Sequence, residues 1–158
     1  MSVAFTRESD LEATAADLPD RPISPHPNLV TPTGMAALDA ALGEARAAYA
    51  QAQTGDVQAD RMAMARATRD LRYYSARRAS AQLVEAVAHP RSVQFGTTVT
   101  IDREDGRRQV FRIVGEDEAD PAKGSVSYVS PLAKALMSKV VGDVAMVAGR
   151  EVEVLEIA

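Results

Sequence analysis

Residues 52–62, Ala-Gln-Thr-Gly-Asp-Val-Gln-Ala-Asp-Arg-Met, form a short polar break between two Ala-, Leu- and Arg-rich runs. The break holds Gly55 and two carboxylates, Asp56 and Asp60. At the tip of a helical hairpin such carboxylates could hold a metal ion. An Asp after Gly also caps the next helix and complements its dipole, with no chemistry at all. A second group is basic. At about 100° per residue, Arg61, Arg66, Arg69, Arg72 and Arg77 fall within a sector of about 160°. That sector faces away from Met64, Leu71 and Tyr74. Such a face is either solvated, paired in part with acids such as Asp70, or an electrostatic contact for phosphates or acidic protein walls. A third group, Glu116, Asp117, Glu118 and Asp120, lacks the spacing and glycine of a calcium-binding loop and reads as a solvated acidic loop.

Composition removes other chemistries. The chain of 158 residues has no cysteine, so disulfides and thiolate metal sites are excluded. Its two histidines, His26 and His89, stand beside prolines, which leaves no basis for a histidine metal site or a Ser-His-Asp triad. A net charge of −4 argues against a general nucleic-acid binder. No apolar run approaches a membrane span, and the first twenty residues lack the pattern of a signal peptide. A cytoplasmic, monomeric protein is the expectation.

The elements that must position these groups follow from periodicity. Residues 1–30 are a Pro-rich, acidic leader, extended or disordered, with Ile23, Leu29 and Val30 as possible anchors. Residues 31–90 read as an antiparallel helical hairpin. Thr31-Pro32 is an N-cap followed by an N1 proline. Met35, Leu38, Leu42, Ala45, Tyr49 and Ala52 then trace a heptad seam. A second helix over about 57–87 repeats it with Met64, Ala67, Leu71, Tyr74, Arg78 and Ala81, Arg78 being expected to snorkel outward. The many alanines would let the helices approach closely. Residues 91–158 form the second domain, and from Ser92 the period changes to two. Val93, Phe95, Thr97, Val99 and Ile101 alternate, a turn at Asp102–Gly106 leads into a second strand, and 125–129 gives a third. Pro131–Lys139 reads as a helix capped by Ser130, its Leu132, Leu136 and Met137 more core than interface, and two strands flank Gly149. The fold class is α+β, a helical hairpin followed by a small β-rich domain with one short helix.

The stretches 95–101, 111–121, 125–143 and 151–157, together with Thr31-Pro-Thr-Gly34 and Ala81-Gln-Leu-Val84, resemble the GreA/GreB transcript cleavage factors. The resemblance covers residues 93–157 almost continuously. It implies an antiparallel coiled coil joined to an FKBP-like domain. It also implies RNA polymerase as the partner. The globular domain would dock at the rim of the secondary channel and the coiled coil would enter it. Tip acids would then complete the polymerase's second catalytic Mg²⁺ and promote hydrolysis of the backtracked RNA 3′ end. By this resemblance Asp56 is the tip acid of a composite site, Asp60 a displaced substitute, and the arginines a face toward RNA or the channel. The acidic loop would be a polymerase-facing charge patch. The chain would not be an enzyme itself, and Mg²⁺ would be shared with the polymerase, with none bound by the isolated protein.

The tip departs from the family pattern. Ala59 stands where the second acid belongs, and Asp60 comes one residue late, a rotation of about 100° on a helix. Both arms are shorter by about six to nine residues, leaving the tip roughly 10 Å short. A non-cleaving channel regulator of the Gre family, Rnk-like, is therefore an alternative. An FKBP-like prolyl isomerase is a remote one, since Phe95, Phe111 and Tyr128 are few aromatics for its pocket.

Overall fold

The computed structural model describes residues 18–54 and 61–158. The chain divides into two compact units. One holds residues 18–25 and 38–80, the other residues 26–37 and 81–158. The sheet-bearing unit thus takes in the last residues of the leader and the stretch after the second helix.

Helix α1 is Pro32–Thr54, its first residues, to Ala37, belonging to the sheet-bearing unit and the rest to the helical one, and α2 is Arg61–Ser80. Along α1, Leu38, Leu42 and Ala45 are buried and Met35, Tyr49 and Ala52 half-buried, the positions of the expected seam. On α2, Ala67 is buried and Met64, Leu71 and Tyr74 half-buried. The alanines do not bring the helices into tight contact. A groove of about 590 Å³ runs between them, lined by Ala41, Ala45, Ala48, Ala52, Ala63 and Ala67 among others. A methyl group reaches too short a distance to fill the space that leucine knobs would occupy. Arg78 leaves the seam for the surface, where its side chain is 39% exposed. Its Nε donates to Asp39 Oδ1 at 2.5 Å, tying the second helix to the first. The second helix ends at Ser80, not near residue 87, because Gln82 and Val84 donate to Asn28 O and Val30 O at 2.8 and 2.9 Å.

The globular unit begins with that pairing. Strand β1 (Leu29–Val30) runs parallel to β2 (Gln82–Leu83). Of the three possible leader anchors, Val30 is buried, Leu29 is half-buried in the strand pair, and Ile23 is exposed. A five-stranded sheet follows, in the order β5-β4-β3-β7-β6. Its strands are β3 (Thr98–Arg103), β4 (Arg108–Val114), β5 (Ser125–Ser127), β6 (Val144–Val147) and β7 (Arg150–Ile157). Neighbours pair antiparallel except β4 and β5, which are parallel. A register shift between Thr100 and Ile101 against β7 marks a bulge, which increases local twist and curls the sheet.

The first long strand starts at Thr98, six residues later than the alternation from Ser92 suggests. Gly96 adopts φ 86°, and Gln94 and Thr97 close a turn in which the Thr97 hydroxyl donates to Gln94 O at 2.7 Å. Helix α3 (Pro131–Leu136) begins as expected, Ala133 N–H donating to Ser130 Oγ at 3.2 Å. It stops before Lys139, because Ser138 takes φ 67°. The last hairpin turns through Ala148 and Gly149, both with positive φ, as a type I′ turn requires. Val99, Ile101, Ile113, Val152, Val154, Ala133 and Leu136 form the core, and Leu132 and Met137 pack against it.

Candidate functional site

Asp56 and Asp60 lie outside the described residues, in the sequence between the end of α1 at Thr54 and the start of α2 at Arg61. Among the described residues, no group of three or more His, Cys, Asp or Glu could hold a metal ion, and no helix is long and apolar enough to cross a membrane. Asp56 alone offers at most two oxygens. The other positions of an octahedral Mg²⁺ would be filled by water or by a partner's oxygens, so a single carboxylate is a weak site by itself.

The arginine face divides into distinct environments. Arg61, Arg66 and Arg72 are exposed and Arg69 half-buried. Arg69 Nε meets Asp70 Oδ1 at 3.3 Å, and Arg72 Nη1 meets Asp20 Oδ1 at 3.3 Å. Arg77 is not part of an open face. It is 2% exposed, the largest of the fully buried side chains among the described residues. A helical wheel treats every turn alike. Arg77 sits on the margin of the sector next to Asp70 and in the last turn of α2, where its surroundings cover it. There, with Arg78, it also complements the helix dipole.

Residues 20 and 21 were no part of the expected site, yet they lie on this face. The Arg21 guanidinium stands 3.9 Å from the Tyr73 ring centroid and 5.1 Å from that of Tyr74, and meets Asp70 at 3.4 Å. The two tyrosines pack edge to face, centroids 5.2 Å apart. A hydrogen bond with Tyr74, opposed by desolvation and aided by Asp70, raises the Arg21 pKa above its ordinary value.

The acidic loop is not simply solvated. Glu118 is half-buried, and its Oε2 accepts from Thr31 N–H at 3.0 Å and Gly115 N–H at 3.4 Å, while Oε1 takes the Thr31 hydroxyl. Thr31 Oγ1 in turn accepts from Gly34 N–H at 3.1 Å, so the predicted N-cap forms. A Cβ on Gly34 would overlap the Glu118 carboxylate, and one on Gly115 would overlap Leu29 O. This explains the Thr-Pro-Thr-Gly spelling: an N-cap, an N1 proline, and a glycine that makes room for an acid 84 residues on. Composition of the loop alone carries no sign of that partner.

Residues 88–158 match the family model described as "Transcription elongation factor, GreA/GreB, C-term". The chain is 51% identical over 65 residues to the transcription elongation factor GreA of Pseudomonas syringae, covering 40% of this chain and 41% of that one. It is 35% identical over 95 residues to the transcription elongation factor GreB of Neisseria meningitidis, covering 59% and 58%. These matches therefore span about two-fifths to three-fifths of the relatives' own lengths. A crystal structure of the GreA factor homolog 1 (Gfh1) protein of Thermus thermophilus aligns at TM-score 0.40 and 19% identity, over 84% of this chain and 99% of that one.

Proposed function

We propose, from the match of residues 88–158 to the GreA/GreB C-terminal family model, that the protein is an elongation factor that enters the secondary channel of RNA polymerase and stimulates cleavage of backtracked RNA. The family match over residues 88–158 carries the reading. The buried and half-buried seams of α1 and α2 support a coiled-coil hairpin as the probe, and in this reading the globular domain, FKBP-like, is the docking body.

In this reading the chain is an accessory factor in the cytoplasm, acting as a monomer, and the polymerase supplies the catalytic site. Asp56 would hold an Mg²⁺ together with polymerase oxygens; Asp60 could substitute only through a remodelled turn. A bound Mg²⁺ polarises a phosphodiester and lowers the pKa of a water. The protein's own part is delivery. Two helices carry one carboxylate to the polymerase centre, and Arg61, Arg66, Arg69 and Arg72 offset the charge of RNA phosphates on the way. Arg77, being buried, is dropped from that face.

Cleavage of labelled RNA in backtracked complexes, with wild type and Asp56→Asn at matched occupancy, tests this. Loss of most or all of the stimulation in the variant, with binding retained, is the expected result. No stimulation by wild type despite binding would favour the second reading, a non-cleaving channel regulator. That reading has its own observation: Ala59 replaces an acid, and α1 and α2, with 23 and 20 residues, reach only about 35 and 30 Å.

A further inference from the structure

Two adjacent leader residues grip opposite margins of the α2 arginine sector. With Arg61 set at zero and about 100° per residue, Arg72 falls at about 20°, Arg69 at about 80° and Tyr73 at about 120°. Asp70 follows at about 180° and Tyr74 at about 220°. Asp20 pairs with Arg72. Arg21 pairs with Asp70 and lies over Tyr73 and Tyr74. The side-chain contacts of Asp20 and Arg21 therefore span the sector, one at each margin, with the Arg21 guanidinium over Tyr73 between them. The flanking prolines, Pro19 and Pro22, restrict the backbone on both sides, so little chain entropy is lost when the two side chains engage.

Charge makes this crossing more than a tether. Asp20 places a carboxylate where a phosphate would otherwise pair with Arg72. Arg21 takes up Asp70, an acid that repels phosphate, but it covers the Tyr73 ring on which a base could stack.

We propose that Asp20 and Arg21 form an intramolecular strap across the arginine face of α2, which single-stranded RNA must displace to reach that face. The inference rests on the reading of this face as RNA-contacting. Each contact is partly exposed, with Arg72 and Asp20 at 67% and 62% and Arg21 and Asp70 at 36% and 35%. The strap is therefore weak enough to be displaced.

The test is fluorescence anisotropy of a labelled single-stranded RNA oligonucleotide with the full chain, as wild type and as Arg21→Ala. Removing a cation lowers RNA affinity if charge alone matters. Releasing a strap raises it. Tighter binding by Arg21→Ala, by about two- to fivefold, is expected from an exposed ion pair with a cation–π contact. Weaker or unchanged binding by Arg21→Ala, with wild type binding measurably, overturns the strap and leaves the face intact. RNA binding by neither protein overturns the RNA reading of the face and the competition with it. Tightened binding of polyglutamate in place of RNA does the same and names an acidic protein surface as the competitor.

Discussion

The two units hold their shape by different means. In the globular unit, β-branched side chains on β3, β4 and β7 interdigitate with Ala133 and Leu136 of α3, whose exposures are 0% and 1%. In the helical unit, a thin line of Leu38, Leu42, Ala45 and Ala67 is buried beside an open groove. There the ion pairs Arg78–Asp39, Arg21–Asp70 and Arg72–Asp20 supplement the packing. Large residues in a period-two pattern specify both which face is inside and how tightly it closes. Alanines in a heptad pattern specify only the face. The helical unit is consequently the one with room to change.

Enlarging a buried alanine in each unit would break or sharpen this contrast most. Ala133→Leu has no space to enter and should destabilise by about 1–3 kcal/mol. Ala67→Leu points into the groove and should be close to neutral. Urea unfolding followed by circular dichroism reads both, and an equal loss would mean the two interiors are equally close-packed. Next in size is the junction at Thr31. Gly34→Ala should cost about 1–2 kcal/mol in an otherwise unchanged chain, because the methyl displaces the Glu118 carboxylate. Once Glu118 is replaced by alanine, the same Gly34→Ala change should stabilise by about 0.5–1 kcal/mol, through helix propensity alone. A double-mutant cycle with no coupling would show that Glu118 does not occupy that space.

The smallest effect lies in the turn between β3 and β4. The Arg107 backbone N–H, at 3.0 Å, and its guanidinium, at 2.7 Å, both hold Asp105. They lower its pKa below the ordinary 3.8, backbone first. A depressed folded value means the stabilisation is present above the unfolded pKa and is lost as pH falls through the folded one. Asp105→Asn should therefore lower stability slightly at neutral pH, with the gap to wild type closing as pH falls below about 4, which flattens the acid limb. A gap between variant and wild type that stays constant from pH 7 to pH 3, in thermal unfolding, would assign that limb to other carboxylates.

Much of this architecture was legible before any coordinates. Thr31-Pro32 announced the start of α1, and the burial of Leu38, Leu42 and Ala45 follows the heptad spacing. Ser130-Pro131 announced α3, and Gly149 the last hairpin. These are local effects: a cap, a restricted φ and a side-chain period act within a few residues, so they survive in any context. The five-residue arginine sector was legible only as a wheel, and four of its members keep their place while Arg77 does not.

What only the tertiary structure decided involves groups far apart in the chain. Glu118 reaches Thr31, Asp20 and Arg21 reach Arg72 and Asp70, and Gln82 pairs with Asn28 and Leu29, ending α2 where periodicity alone would continue it. Nothing local distinguishes Glu118 from Asp117, which remains exposed. A carboxylate is solvated or clasped according to which N–H groups the fold brings to it, and that information is carried by the packed whole. The sequence alone determined where the helices and strands begin and which faces they bury; the fold decided how far apart the helices stand and which charges find a partner.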